Sequence, residues 1–315
     1  MSWEHGLLDD SMTLRQLQAL LAVADSGSIS AAARALGVTQ PVLSRVLSQL
    51  ERSSGVSLVA RGPLGTILTR PGQRLAERAR LISAELKRCE EDLLLLRGEQ
   101  GGQISLAASP VPMMLVIPGA IQQVLQTLPG TEVTVAEIVY PELIDAFREQ
   151  RIDFAIGPVP DGGLGGDLRA EPLFQVERVI VVARDHPKSH VRTLAALQSE
   201  PWIITGPLNG PGAAVRQLFL DHGMTPPHCG VALDTVWAAI DMVSHNGFVG
   251  SVPRPIAEAA GSRIRILKIR EEMPPLTICL ITQAGVQLTT AARALVSAVR
   301  ARSARRNSRT ISNRS

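Results

Sequence analysis

Residues 29–48 read ISAAARALGVTQPVLSRVLS, and their spacing decides the N-terminal fold. Ala32 and Ala33 put small side chains on a helix face that must approach another backbone closely. Four residues after Ala33, Gly37 supplies the positive φ that a sharp turn needs. Val38, Leu43 and Val46 then form the apolar face of a second helix packed across the first. Thr39 is placed to N-cap that helix, and Pro41 suits its first turn, where a missing N–H costs nothing. Gln40, Ser44, Arg45 and Gln49 remain on the outward face, where they can hydrogen-bond base edges and phosphates of DNA. A short helical hairpin with no nucleic-acid role shares the pattern, so the surroundings must decide.

The surroundings are basic on one side only. From Leu14 to Arg80 there are nine Arg against Asp25, Glu51 and Glu77. The last 16 residues hold six Arg and no acid, whereas residues 81–299 carry 17 basic and 23 acidic groups. A net charge of +3 thus conceals a basic unit on an acidic body, the footprint of a chain that meets phosphate at one end.

Around the hairpin, Leu14, Leu17, Leu20, Leu21 and Ala24 predict a preceding helix that runs to Ser26. Ser28 caps the next helix, and Gly55 ends the one after it. Extended pieces at 57–61 and 66–69, joined by Gly62-Pro63-Leu64-Gly65, predict a β-hairpin in the position of a wing. Arg61 and Arg70 flank it, as phosphate contacts or as solvated charges. From Pro71 the positions Leu75, Ala79, Ile82, Leu86, Cys89, Leu93 and Leu96 alternate by four and three, an apolar or small seam three heptads long. The narrow stripe predicts a dimerisation coiled coil over 71–97; a helix lying on its own domain would show a wider one. Residues 98–102, with Gly101-Gly102, read as a hinge.

Beyond the hinge, strand and helix patterns alternate. Strands are expected at 104–108, 132–137, 153–156, 179–183, 202–205, 230–233, 248–252 and 276–282. Helices are expected at 111–126, 141–150, 213–222, 236–245 and 289–302. The pattern predicts mainly parallel sheets in two α/β lobes, one spanning about 103–170 with 275–302, the other about 171–274. Residues 303–315 read as a disordered basic tail, either solvated or adding non-specific DNA affinity.

With helix-turn-helix, wing, heptad helix and two lobes in this order, residues 12–301 resemble the LysR-type transcriptional regulators. The most specific part is LRQLQALLAVADSGSISAAARALGVTQPVLSRVLSQLERSSGVSLVARGPLGTILTRPG, residues 14–72. The resemblance implies an α+β multidomain chain: a winged helix-turn-helix over 12–70, a linker helix, and a two-lobed effector domain over 103–302 like type II periplasmic binding proteins. It places Gln40, Pro41, Ser44 and Arg45 in the major groove and the wing at the minor groove or its phosphates. Val59 departs from the family, which often has a larger aromatic there. The resemblance also implies a small effector, an organic anion, held between the lobes; residues 206–219, GPLNGPGAAVRQLF, with 151–158, RIDFAIGP, look most like regulators of aromatic-acid or aromatic-sulfonate catabolism. Ser109 and the helix start after it would face that ligand, with Tyr140, Thr205 and Gly206; Gly210-Pro211-Gly212 opens a further helix toward it. The partners so implied are double-stranded promoter DNA with a pseudo-palindromic site, the effector, a second copy in a homodimer or homotetramer, and RNA polymerase.

Other classes find little support in the residues. There is no G-x-S-x-G, H-E-x-x-H, P-loop or G-x-G-x-x-G, and His5, His186, His190, His222, His228 and His245 lack metal-ligand spacing. The glycine-rich stretch 161–167 lacks the Lys-Ser/Thr of a phosphate loop and reads as a flexible loop between the lobes. No enzyme activity, cofactor or metal is therefore expected. Cys89, Cys229 and Cys279 are few and scattered, which with the absence of a leader-like start or an apolar run of about 18 residues predicts a cytoplasmic protein without a membrane span. A DNA-binding protein with a vestigial ligand lobe and little base preference remains the alternative; a small-molecule enzyme is the remote one.

Overall fold

The structure, a computed structural model, describes residues 12–62, 65–96, 101–138, 140–160, 163–165, 168–206 and 213–312; the side chains of 61–62, 87, 90–92, 94–96 and 308–312 lie outside that description. The chain divides into two compact units that part at residues 97–98.

Among the described residues, four helices and a hairpin build the first unit. Helix α1 (Leu14–Ser26) opens on a capping box: Gln16 N–H donates to Thr13 Oγ1 (3.3 Å), and Thr13 N–H donates to Gln16 Oε1 (2.9 Å). Helix α2 (Ile29–Ala35) is capped by Ser28, whose Oγ accepts from Ala31 N–H. Gly37 has φ 65°, and Val38 N–H reaches back to Ala33 O (3.0 Å), so the turn closes the orphan carbonyls of α2 as the sequence requires. Helix α3 (Gln40–Ser54) follows. Ala32 and Ala33 are fully packed against Leu20, Leu43, Leu47 and Leu50. The expected side-chain cap at Thr39 does not form. Its hydroxyl makes no bond to the helix start, and Pro41, without an N–H, removes one of the nearby donors a cap would serve.

The hairpin of β1 (Val59–Gly62) and β2 (Gly65–Leu68) is antiparallel, with Val59 opposite Leu68. Thr66 N–H donates to Gly27 O (2.9 Å), and Thr69 Oγ1 donates to Ser57 O (2.6 Å), so the wing is tied at both ends. Thr69 Oγ1 also accepts from Gly72 N–H, starting helix α4 (Arg70–Leu96). Along α4 the heptad seam divides. Ala76 and Ala79 are buried and Leu75 packs on the same core, with α1 lying against this part of the helix, whereas Ile82, Leu86, Cys89 and Leu93 are exposed.

In the second unit two five-stranded sheets form two lobes. The first has the order β4-β3-β5-β12-β6 and the second β11-β7-β10-β8-β9. Its elements in the first lobe are β3 (Gly102–Ala108), α5 (Pro110–Leu115), α6 (Ile117–Thr127), β4 (Thr131–Ala136), α7 (Glu142–Arg148), β5 (Phe154–Gly157) and β6 (Leu168–Val176). The second lobe contains β7 (Arg178–Ala183), β8 (Trp202–Thr205), α8 (Ala213–Asp221), β9 (Cys229–Leu233), α9 (Val236–Asn246), β10 (Val249–Pro253), α10 (Arg254–Ala260) and β11 (Ile264–Ile266). The chain then returns to the first through β12 (Leu276–Gln283) and α11 (Thr290–Ser312).

Four expectations change here. The sheets are mixed rather than mainly parallel, because β12 runs antiparallel to β5 and β6, and β7 antiparallel to β10 and β11. The expected helix over 111–126 is two helices, broken at Val116, since Pro118 cannot donate to the turn before it. Residues 171–176 belong to the first lobe, not the second: β6 is an edge strand of the first sheet, and the crossover is at Glu177. Finally, residues 303–312 are helical rather than disordered. The buried face of α11 continues from Leu295 and Val299 to Ser303, Arg306 sits over the Phe174 ring (5.8 Å), and Asn307 Nδ2 donates to Leu173 O (2.9 Å). The hinge residues 98–100, the Gly210-Pro211-Gly212 segment and most of the 161–167 stretch lie outside the described residues.

Candidate functional site

The outward face of α3 holds Gln40, Pro41 and Arg45, all exposed, with Ser44 half-buried between them. Ser30 Oγ donates to Gln40 Oε1 (2.8 Å), which leaves the amide NH2 as the outward donor, suited to a base acceptor in the major groove. Val42, which the sequence reading did not single out, is also exposed and offers apolar contact beside them. Arg70 is exposed at the start of α4 beyond the wing, while the Arg61 side chain lies outside the described residues. Glu51, on α3, accepts from Leu58 N–H (2.8 Å) and Val59 N–H (3.2 Å). One carboxylate thus fixes the wing to the helix that carries Arg45.

The second unit has a cavity of about 120 Å³ between its two sheets. Ser109, Tyr140, Thr205 and Gly206 all line it, although they come from three separate segments. Ser109 follows β3, with its N–H donating to Ile156 O (3.0 Å); its Oγ is buried and has no hydrogen-bond partner among the described residues. Thr205 ends β8, and Gly206, at φ 78°, turns the chain away with its N–H on Leu233 O. The helix start after Ser109 contributes less than expected. Of its first three residues, Pro110, Val111 and Pro112, only Val111 has an N–H, and α5 spans six residues.

Sequence reasoning missed the charged residues here. Arg178, Glu137 and Asp234 also line the cavity, amid aliphatic walls that include Val111, Ile156, Ile204 and Val252. No local motif marks Arg178: it is the first residue of β7, and only the crossover from the first sheet to the second brings it to the cleft. Among the described residues, no group of His, Cys, Asp and Glu is arranged to hold a metal. Burial pushes the Cys229 and Cys279 thiols up from their ordinary pKa, which makes reactive thiolates there less accessible.

Two family models match this chain. The bacterial regulatory helix-turn-helix protein, lysR family, spans residues 14–73, and the LysR substrate binding domain spans 97–304. The chain belongs to the LysR family of transcriptional regulators. Among its relatives is the transcriptional regulator TdcA of Escherichia coli strain K12, 27% identical over 272 residues, which cover 86% of this chain and 87% of TdcA. Another is GbpR of Rhizobium radiobacter, 30% identical over 257 residues, 78% and 82% of the two chains. The LysR-family regulator CbnR, solved as a full-length complex with its target DNA, shares the fold at a TM-score of 0.65 and 23% identity, covering 92% of this chain and all of that one. As a LysR-type regulator, the protein couples a DNA-binding helix-turn-helix to an effector-binding domain and is not an enzyme. No helix among the described residues is long and apolar enough to cross a membrane.

Proposed function

We propose that this regulator binds a pseudo-palindromic promoter site as a homodimer or homotetramer and responds to a small organic anion held between the lobes of its second unit. The observation that carries the effector reading is the convergence of Ser109, Tyr140, Thr205 and Gly206 on one ligand-sized cavity between two sheets. The exposed seam of Ile82, Leu86, Cys89 and Leu93 supports self-association, because a second copy would remove these apolar groups from water. Two reading helices in one dimer then address half-sites about 34–36 Å apart, or a multiple of that. Ligand binding shifts the relative closure of the lobes and so the DNA geometry offered to RNA polymerase in the cytoplasm. In this reading Gln40, Pro41, Ser44 and Arg45 meet bases and phosphates, and Arg61 and Arg70 grip the backbone.

The test is selection of bound duplexes from a random pool, followed by affinity measurements at fixed salt on the selected and a scrambled site. Arg45→Ala is expected to lose about 1–3 kcal/mol of discrimination, if it reads a guanine, with a smaller effect on the scrambled duplex. Equal losses on both would reduce Arg45 to a phosphate contact. A wild-type chain that selects no sequence at all would favour the non-specific alternative.

A further inference from the structure

We infer that the effector is a small monocarboxylate with an apolar body, and that Arg178 is the residue that recognises its charge. This inference rests on the cleft being the effector site and adds what the ligand must be. Size sets the first limit. At about 120 Å³ the cavity is comparable to the roughly 150 Å³ apolar cavity that accommodates benzene, so a single ring or a short branched chain fits it. The walls set the second. They are dominated by Val, Ile, Leu and Pro side chains, which reward an apolar body and leave a strongly hydrated one poorly solvated.

Charge sets the third limit. Among the described lining residues Arg178 is the one Arg or Lys, whereas Glu137 and Asp234 are acidic and exposed. One negative charge therefore finds a forked partner, and a second would face like charge. Ser109 Oγ, just beyond β3 in the other lobe, is buried without a partner among the described residues and can donate to the same ligand. With prolines at two of the three residues after Ser109, the backbone there adds little, so the load falls on these two side chains.

Arg178 also occupies a mechanically significant position. It directly follows Glu177, the crossover residue, which is fixed by Arg254: the guanidinium donates to both carboxylate oxygens (2.6 and 2.8 Å), and Arg254 N–H donates to Glu177 O (2.8 Å). The side-chain hydrogen bonds to Glu177 raise the Arg254 pKa above its ordinary value. Arg178 has an interaction within the protein, so a ligand carboxylate exchanges with that contact rather than meeting a bare charge. The exchange takes place at the joint between the lobes, where a small change in side-chain partner acts on both.

The closing experiment is thermal melting of the full-length protein at constant ionic strength with benzoate, isobutyrate, phthalate and benzamide. Benzoate and isobutyrate are expected to raise the midpoint in a concentration-dependent way; phthalate and benzamide should need at least tenfold higher concentration for the same shift. Arg178→Gln should erase the advantage of benzoate over benzamide while the ligand-free protein keeps its far-ultraviolet dichroism and a cooperative melt, which control for folding. Benzamide or phthalate matching benzoate, silence from both monocarboxylates, or an unaltered preference in Arg178→Gln would overturn the inference. Ser109→Phe, whose ring would fill the cavity, separates this failure from that of the effector reading. If it abolishes a shift caused by phthalate or benzamide, the cleft stands and the ligand class falls. If it leaves a benzoate shift intact, the ligand binds elsewhere and both fall.

Discussion

Glu51 shows how a single side chain joins two parts of the DNA-binding unit. Its Oε1 accepts the backbone N–H groups of Leu58 and Val59, and Leu58 is 2% exposed, so removing the carboxylate strands a donor where water does not easily reach. Glu51→Ala is expected to destabilise the first unit by about 1–3 kcal/mol and weaken DNA binding, whereas Glu51→Gln, which keeps an acceptor oxygen, should recover most of both. Chemical denaturation with affinity measurement checks this; equal behaviour of the two variants would argue against the hydrogen bonds. Some of this scale was legible in the sequence. Ser28 and Gly37 act as their residue types demand, since a cap and a positive φ are local requirements. The Ser30–Gln40 hydrogen bond across the turn was not, because it depends on two helices meeting.

Among the elements, α4 bears the clearest division of labour. Its seven seam positions were set by spacing alone, but Ala79 turns inward onto α1 and is 0% exposed, while Ile82 and Leu93 are about half exposed. The first turns thus anchor the helix to its own domain, and the later part is left for a partner. Leu86→Glu is expected to shift the protein from dimer to monomer in sedimentation velocity with little change in far-ultraviolet dichroism. A dimer that survives this substitution and Ile82→Glu would place the association surface elsewhere. Strand β6 illustrates an element the sequence hid. Pro172 argues against a strand, but β6 lies at the sheet edge, where a missing N–H is tolerated, and the register slips between Cys279 opposite Pro172 and Ile278 opposite Phe174. A bulge at Leu173 absorbs the difference.

At the scale of the molecule, the C-terminal helix secures that same edge. Asn307 reaches the carbonyl of Leu173 at the bulge, and Arg306 covers Phe174 from the neighbouring position. Ser303 is 1% exposed, so the helix is packed beyond the point where the apolar periodicity fades. By contrast, the exposed Arg300–Glu171 pair contributes little, screened as it is by solvent. Ending the chain after Arg302 is expected to lower the melting midpoint of the second unit by several degrees, at about 2–4 °C for each kcal/mol lost in a domain of this size. An unchanged midpoint would return residues 303–315 to the status of a solvated tail.

By itself, the sequence determined the helix-turn-helix, the wing, the long helix and the alternation of strands and helices, because caps, turns and hydrophobic periods act over a few residues. It also named Ser109, Tyr140, Thr205 and Gly206, although only through resemblance to a family. Tertiary structure alone decided that these residues share a cavity, that the sheets are mixed, and that an arginine-rich end is a packed helix. It alone brought Arg178 to the cleft and left half of the heptad seam exposed. Each of these depends on contacts between segments tens of residues apart, and no local period in the chain encodes which distant face will meet which.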